Sequence, residues 1–562
     1  MTSASYQPTS TPGQVSPAPK LKRGERKSYR RHVTESELPP VTCANVLVER
    51  GIMITMRDGV RLCADHWYPA EGAQGPAILV RTPYGQAGNT TLAVIWAERG
   101  RHVVVQRCRG TFDSEGEFNP LHHELADGVD TVAWLRAQPW CPEAIHTWGP
   151  SYLGYTQWAL AGVAGQDAAI IAQSARSFDS ATAYVGGGFA METALVWLQA
   201  LEVQERGLLA RLMAIARLRR KTDKAALKLP AATADMAAVG HRVDYYRDWL
   251  EHRAPGDPWW EPLRFSQDPT QVPPLILVAG WQDMFLPDQL ADYAVMRDAG
   301  RPVRLIVGDW THHSPGAGLT TVAESFRLPA RPGDPLEGPR VRYEIAGGGG
   351  WRECESWPPP AAEVLTFQLS PVAGTTSGRL TKTAPPDTEL TYRYDPADPT
   401  PQAGGRSLNP FTCGRRDQRA RETREDVLLF TGAPLPADML IAGTGVFHAE
   451  FSSTNPTVDL MVRLTDVDER GVSRTVTDGY VRLTPDGTAP GERLSYELRL
   501  DPVAYRFAAG HRIRFQVSSG AHPLHLRNPG VPDPLVATTL VPSQQRLFLG
   551  ATGCRLELPL LS

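Results

Sequence analysis

Five short apolar runs, each ending near a Pro or Gly, constrain the fold of this chain more than any other feature. They read "PAILVRTPYG", "RHVVVQRCRG", "AIHTWG", "PPLILVAG" and "RPVRLIVGDW". Such β-branched runs are typical of strands buried on both faces of a parallel sheet. Between two of them, Leu125, Val129, Val132 and Leu135 recur at helical spacing. The pattern is a β-α-β series and predicts an α/β fold with helices on both faces of a mostly parallel sheet.

The strand pattern is interrupted once and later replaced. Residues 181–270 have helical propensity and no β run, which predicts a helical insertion. From residue 331 onward, short alternating strands such as "FHAEFSS" and "HRIRFQVSSG" lie between Gly/Pro turns and predict an all-β sandwich. The expected division is a tail at 1–40, an α/β domain in two parts at 41–180 and 271–330, the insertion at 181–270, and the sandwich at 331–562.

Composition excludes several classes of protein. The tail is rich in Ser, Thr and Pro and ends in the basic run "KLKRGERKSYRRH", so we expect it to be disordered and solvated. A net charge of -3 gives no argument for nucleic-acid binding. The seven cysteines are scattered without a C-x-x-C pair, so neither a disulfide framework nor structural zinc is expected. The lack of an 18-residue apolar run and of a signal peptide predicts a cytoplasmic protein outside the membrane.

The stretch "HTWGPSYLGY" places Ser151 between glycines, directly after a predicted strand. Loops at the carboxyl ends of parallel strands converge on one edge of the sheet. A serine at such a bend exposes its Oγ, and the next backbone N–H, at a helix N-terminus, can donate to an oxyanion. Because a single G-x-S pattern is also common in turns, a plain turn serine is the alternative.

Two further strand ends carry the partners that a nucleophilic serine needs. Asp283 follows "LILVAG", and His312 and His313 follow "RLIVGDW". The order Ser, Asp, His is that of α/β-hydrolases, in which histidine accepts the serine proton and the carboxylate orients the imidazole. The alternative role for Asp283 is to cap the following helix. The spacing therefore predicts a catalytic triad at one sheet edge.

Several stretches together carry a more specific resemblance. They are "MRDGVRL", "VRTPYG", "QRCRGTFDSEGEF", "GPSYLGYTQW", "VAGWQDMF", "VGDWTHH", "WRECESWP" and "HRIRFQVSS". With them the chain resembles the cocaine-esterase and X-prolyl dipeptidyl-peptidase family of serine hydrolases, from about residue 50 to the C-terminus and least in the helical insertion. The resemblance implies an α/β-hydrolase domain, an inserted helical cap and a C-terminal jelly-roll-like sandwich.

The resemblance also implies a role for each site residue. Ser151 would be the nucleophile, His312 the base and then the acid, Asp283 the orienting carboxylate, and the Tyr84 hydroxyl and Tyr152 backbone N–H the oxyanion hole. The family's W-[ST]-H pattern favours His312 over His313, and a packed aromatic is the alternative role for Tyr84. Three departures from the family or the wider fold are Pro150 before the serine, Leu153 where many α/β-hydrolases have Gly, and Asp309 in place of a common Pro.

These observations predict a serine hydrolase that cleaves an ester or amide of a small molecule through an acyl-serine, without a metal or organic cofactor. Asp179 is solitary, and Gln282 and Met284 flank Asp283, so a carboxylate cluster for an amino-acyl substrate is not found. The apolar "GFAMETALVW" and aromatic "DPWWEP" favour a bulky, uncharged acyl group. Alternatives are an acyltransferase, an X-prolyl-type peptidase or a non-catalytic relative, and a homodimer is a further possibility.

Overall fold

The computed structural model describes residues 13–20, 38–85, 88–163, 165–253, 256–265, 268–484 and 489–561. Within them, the first sheet has eleven strands in the order β1-β2-β3-β5-β4-β6-β7-β10-β11-β12-β13. These strands are β1 Val15–Pro17, β2 Val46–Thr55, β3 Arg61–Pro69, β4 Ala77–Thr82, β5 Val103–Arg107, β6 Ile145–Pro150, β7 Ala168–Ala172, β10 Leu275–Gln282, β11 Val303–Thr311, β12 Val341–Ile345 and β13 Gly350–Cys354. Pairing is parallel from β5 through β12 in that order and antiparallel at both ends.

Helices cover both faces of this sheet. They are α1 Thr90–Ala97, α2 Glu124–Arg136, α3 Tyr152–Leu160, α8 Leu286–Asp298 and α9 Pro315–Ser325. Strand β4 shows the two-sided burial directly. Ile78 and Val80 pack in the cluster that contains α1, whereas Leu79 packs with Val132 and Leu135 of α2 on the opposite face. The mostly parallel sheet with helices on both faces is thus confirmed.

A helical segment separates β7 from β10. It contains a π-helical turn Asp179–Ala183, a short hairpin of β8 Tyr184–Val185 and β9 Gly188–Phe189, and helices α4 Met191–Gln204, α5 Leu208–Ala226, α6 Ala234–Val239 and α7 Asp244–Glu251. Three 3₁₀ turns accompany them at Ala231–Thr233, Pro258–Leu263 and Pro269–Gln271. We refer to α4–α7 as the cap.

The C-terminal part is all-β apart from one short helix, α10 Arg419–Glu422. Its thirteen described strands are β14 Glu363–Pro371, β15 Ser377–Thr381, β16 Thr388–Tyr394, β17 Leu428–Thr431, β18 Met439–Gly443, β19 Val446–Ser453, β20 Val458–Val467, β21 Ser473–Leu483, β22 Leu494–Arg499, β23 Val503–Phe507, β24 Arg512–Ser518, β25 Ser543–Leu549 and β26 Arg555–Leu560. One continuous core joins it to the rest of the chain, since Leu195 of the cap, Trp281 of β10 and Phe447 of β19 belong to the same buried cluster.

The structure differs from the sequence-based expectations in four places. The insertion at 181–270, expected to contain no strand, includes the two-residue strands β8 and β9, which are too short to leave a β pattern in the sequence. Val15–Pro17, inside the expected tail, pairs with β2 as an edge strand, while the basic run from residue 21 onward lies outside the described residues. Strands β12 and β13, beyond the expected boundary at 330, extend the first sheet. The alternating pattern of β12 is that of any half-buried strand and does not indicate which sheet the strand joins. Leu125, expected on the buried face of α2, is exposed.

Candidate active site

Ser151 occupies a strained bend between β6 and α3. Its backbone has φ +58° and ψ -125°, a region that L-residues rarely adopt, and it directly precedes the first residue of α3. The Ser151 N–H donates to the carbonyl of Ala172 at 2.9 Å, which fixes the bend against β7. Strain of this kind, at a strand-to-helix turn, is the geometry that presents a nucleophilic hydroxyl.

Two glycines make room for this bend. A Cβ on Gly149 would lie 2.2 Å from Cβ of Leu153, and one on Gly154 would lie 2.3 Å from Cβ of Ser174. The close approach of α3 to β7 therefore falls at Gly154 rather than at position 153. This explains why leucine is tolerated two residues after the serine.

Tyr84 places its hydroxyl beside the Ser151 side chain. The Tyr84 hydroxyl accepts a hydrogen bond from Nε1 of Trp197 in α4 at 3.0 Å. Burial of the hydroxyl raises the pKa of Tyr84 to about 12, and hydrogen bonds with Trp197 and Ser151 oppose that rise. Tyr84 is 36% exposed as a whole residue. With its raised pKa the phenol is protonated at neutral pH, so it can donate a hydrogen bond.

Tyr152 is fixed by a buried polar network behind the serine. Its hydroxyl donates to Oε1 of Glu124 at 2.8 Å and accepts from the Leu121 N–H at 2.9 Å. Arg81 pairs with the same carboxylate at 2.9 Å, and both charged side chains are buried. Burial, followed by the nearby Glu124 charge, raises the pKa of Tyr152 well above its ordinary value. As the first residue of α3, Tyr152 has a backbone N–H without an acceptor within its own helix.

Asp283 and His312 form a hydrogen-bonded pair at the ends of β10 and β11. Nδ1 of His312 lies 2.8 Å from Oδ2 of Asp283, which is 1% exposed. Because a carboxylate only accepts, the proton belongs on Nδ1 and Nε2 is left as an acceptor. The other oxygen, Oδ1, accepts from the Phe285 N–H at 2.8 Å, so the carboxylate also closes the turn before α8.

The neighbouring histidine has a different partner. Nε2 of His313 contacts the carbonyl of Leu408 at 2.6 Å, and its side chain is exposed. The Asp283 carboxylate is thus paired with His312, the histidine that the sequence pattern favours. Asp309 forms a bidentate ion pair with Arg415 of the C-terminal part, at 3.0–3.2 Å.

An aromatic wall extends from the serine into the cap. The ring of Tyr152 stacks on Trp197 with centroids 6.1 Å apart, and Trp197 stacks on Trp249 at 5.8 Å. Phe178 contacts Trp249 at 4.8 Å and Trp260 at 6.1 Å. The surroundings of the serine on the cap side are therefore largely apolar.

The charged groups near the site are mostly paired with each other. Oδ2 of Asp179 lies 2.6 Å from Nη2 of Arg264. In the loop after β5, Arg109 pairs with Asp127 and Asp58.

Within the described residues, no group of three or more His, Cys, Asp or Glu side chains is arranged to hold a metal ion. Over the same residues, no helix has both the length and the apolar character needed to cross a membrane.

Gln173 is a site residue that the sequence reasoning missed. Its Nε2 donates to Oδ2 of Asp283 at 2.8 Å and to the carbonyl of Thr311 at 3.0 Å, so one amide joins the two loops. Gln173 has φ +48° just after β7. Its position at a third strand end was the only available signal. Trp197 was included only as part of the apolar stretch "GFAMETALVW", and the hydrogen bond from its indole N–H to Tyr84 was not predicted.

Comparison with known proteins identifies the family. The chain is 31% identical over 537 residues to the cocaine esterase of Rhodococcus sp. (strain MB1 Bresler), covering 86% of this chain and 92% of that protein. It belongs to the cocaine esterase and X-Pro dipeptidyl-peptidase family. Residues 58–314 match the X-Pro dipeptidyl-peptidase (S15) family, and residues 337–552 match the X-Pro dipeptidyl-peptidase C-terminal non-catalytic domain. This chain is therefore a member of a family of serine hydrolases that act as esterases and peptidases.

Solved structures support the fold over nearly the whole chain. An aminopeptidase from a marine sediment Thaumarchaeota archaeon has a TM-score of 0.75 at 21% identity, covering 94% of this chain and 99% of its own. An α-amino acid ester hydrolase has a TM-score of 0.76 at 20% identity, covering 93% and 98%. The α/β-hydrolase domain followed by a C-terminal β domain is the architecture that they share with this family member.

Proposed function

We propose that this protein hydrolyses carboxylic esters of small molecules through an acyl-serine at Ser151. The strained bend at Ser151, with the Tyr84 hydroxyl against it, is the observation that carries the proposal. The Asp283–His312 pair, at the carboxyl ends of two strands of the same sheet, supports it. A plain turn serine has no need of a positive φ or of a phenol beside its hydroxyl.

The proposed reaction uses five groups. Oγ of Ser151 attacks the ester carbonyl while its proton passes to Nε2 of His312, and Asp283 stabilises the imidazolium. The Tyr84 hydroxyl and the Tyr152 N–H donate to the tetrahedral oxyanion. The C–O bond to the leaving alcohol then breaks, and the alcohol takes the proton from His312. Water adds to the acyl-serine by the same steps and releases the acid and free Ser151.

The aromatic wall supports a bulky, uncharged acyl group as the preferred substrate part. Stacked apolar faces are offered by Tyr152, Trp197 and Trp249. Asp179, the candidate carboxylate for an amino-acyl substrate, is paired with Arg264. A free ammonium on the acyl group would therefore not find an unpaired carboxylate at Asp179. This favours an aryl ester over an amino-acyl ester or an X-prolyl amide. Cocaine esterase is the name of the relative that is 31% identical.

A fluorophosphonate probe tests the nucleophile. Wild-type protein, Ser151→Ala and the control Ser174→Ala are incubated with the probe and analysed by intact mass. We expect one adduct on wild type and on Ser174→Ala, and none on Ser151→Ala. Ser174 is a suitable control because its hydroxyl is buried and has no hydrogen-bond partner among the described residues. Equal labelling of Ser151→Ala would refute the assignment.

A substrate panel tests the chemistry. We compare p-nitrophenyl benzoate, p-nitrophenyl acetate and glycyl-prolyl p-nitroanilide, and expect kcat/KM to fall in that order. Faster cleavage of the anilide would instead identify an X-prolyl peptidase. Formation of a new ester when an acceptor alcohol is added, at the expense of the acid, would identify an acyltransferase.

A further inference from the structure

Both neighbours of Asp283 along the chain are held by the C-terminal domain. Nε2 of Gln282, which is buried, donates to the carbonyl of Val476 in β21 at 3.0 Å. Nη1 of Arg406 donates to the carbonyl of Met284 at 2.7 Å. The end of β10 is thus fixed from outside its own domain, on either side of the carboxylate.

The segment that carries His312 is held by the same part of the C-terminal domain. His313 contacts the carbonyl of Leu408, and Asp309 forms its bidentate pair with Arg415. A Cβ placed on Gly414 would lie 3.1 Å from Cγ2 of Thr311, the residue directly before His312. These contacts come from residues 404–416, which we call the 404–416 loop.

The 404–416 loop is rigid because it is bonded to itself and to the strands beneath it. Gly405 and Gly414 exchange two backbone hydrogen bonds of 2.8 and 2.9 Å. Both have positive φ, and a Cβ on Gly405 would lie 2.2 Å from Oδ2 of Asp478. That carboxylate pairs at 2.6 Å with Arg463 of β20, which is fully buried. The loop therefore links β20 and β21 to the segments that carry Asp283 and His312, so that the positions of these segments depend on those strands.

The cap is fixed to the same loop through one buried carboxylate. Glu192 of α4 accepts hydrogen bonds from Oγ of Ser407 at 2.5 Å, Nδ2 of Asn409 at 2.9 Å and Oγ1 of Thr412 at 3.0 Å. Its side chain is 0% exposed, and burial raises its pKa. Three donors at one carboxylate leave little freedom between α4 and the loop. Since α4 also carries Trp197, the loop is joined to the oxyanion side of the site as well.

We propose that the 404–416 loop is a positioning element that sets the geometry of the Asp283–His312 pair. The loop residues act through the chain neighbours of the pair and not on reacting atoms, which accords with a C-terminal domain described as non-catalytic. Segments at strand ends can shift when contacts that hold them are lost, and a displacement of about 1 Å at a catalytic group can cost ~10²-fold in rate. This inference rests on the proposed function, because it assigns a role to the pair in turnover.

Two contacts, one on the histidine segment and one beside Asp283, test the inference separately. Arg406 also forms a largely buried ion pair with Asp501. Asp309→Ala removes the Arg415 ion pair at the histidine segment, and Arg406→Met combined with Asp501→Asn removes the contact to Met284 without leaving an unpaired carboxylate charge. We expect kcat for an aryl ester to fall at least about tenfold in each variant with KM within about twofold. Asp309→Glu, which keeps a carboxylate for Arg415, should recover most of the lost kcat.

The control is Asp533→Ala, which removes an ion pair of the C-terminal domain with Arg253, a residue that follows α7 and does not contact the segments of Asp283 or His312 in this pair. Melting temperatures are measured for all variants. A kcat that falls no further in Asp309→Ala than in Asp533→Ala, or that Asp309→Glu does not restore, would overturn the positioning role. Should Arg406→Met/Asp501→Asn fail to fold, the kcat values of Asp309→Ala and Asp309→Glu still test the inference, because Asp309 is partly exposed and its replacement disturbs the core less. Loss of Ser151 labelling in wild type would instead refute the proposed function itself.

Discussion

The Tyr84→Phe variant gives the sharpest test of the oxyanion hole. The substitution keeps the ring and removes only the hydroxyl that lies beside Ser151 and accepts from Trp197. Removing one oxyanion donor costs about 10²–10³ in kcat, or ~2.7–4 kcal/mol of transition-state stabilisation. We expect kcat to fall by about that factor while KM changes little, because the donor acts on charge that develops only in the transition state.

Stability separates this loss from a folding defect. Tyr84→Phe removes the hydrogen bonds with the half-buried Trp197 and with Ser151, so the free energy of unfolding should fall by only about 1–3 kcal/mol. Steady-state kinetics with p-nitrophenyl benzoate and urea unfolding measure the two quantities. Tyr68→Phe, at a tyrosine remote from the serine, is the matched control. A Tyr84→Phe variant with more than about a third of the wild-type kcat would refute the reasoning.

Three other predictions concern the amide of Gln173, the glycine at position 154 and the buried tyrosines. Gln173→Met should lower kcat about tenfold, because it removes the amide that joins Asp283 to Thr311; steady-state kinetics would contradict this if kcat were unchanged. Gly154→Ala should destabilise the protein by about 1–3 kcal/mol in urea unfolding, since its Cβ would meet Ser174, whereas Gly318→Ala in α9 has open space and should not. Burial raises the pKa of several tyrosines, so the neutral phenol is favoured in the folded state and the free energy of unfolding should decrease as pH rises above about 10. The tyrosines are Tyr84, Tyr152, Tyr155 and Tyr392, and a melting temperature constant between about pH 10 and 12 would contradict the last prediction.

The mostly parallel sheet and the candidate site residues at its strand ends could be predicted from the sequence, although the order of the strands in the sheet could not. Buried parallel strands have a strong local pattern, and their carboxyl ends lie at one edge by geometry alone. The position of β12 could not be predicted in the same way. Its alternating residues fit a half-buried strand between β11 and β13 as well as a strand of the C-terminal sheet, and only tertiary packing decides between them.

The supporting polar residues were the least predictable part of the site. Gln173 and Glu124 are buried side chains whose partners lie 110 and 28 residues away in sequence. A buried polar group is stable only when its hydrogen bonds are satisfied, but the sequence does not indicate where those partners are. Leu125 illustrates the converse. Its helical spacing predicted burial, yet α2 turns Asp127 inward to meet Arg109 and leaves Leu125 exposed.

The contacts divide the support of the site between two parts of the molecule. Ser151 and Tyr152 are fixed within the α/β domain, by β7 and by the Glu124 network, whereas the segments that carry Asp283 and His312 are also fixed by the C-terminal domain. The proposed nucleophile and the proposed acid–base pair should therefore respond to different perturbations. A change that loosens the C-terminal domain should slow proton transfer and leave the bend at Ser151 intact. Such a variant would retain the Tyr152 backbone N–H beside Ser151, and its affinity for a neutral substrate would remain close to that of the wild type.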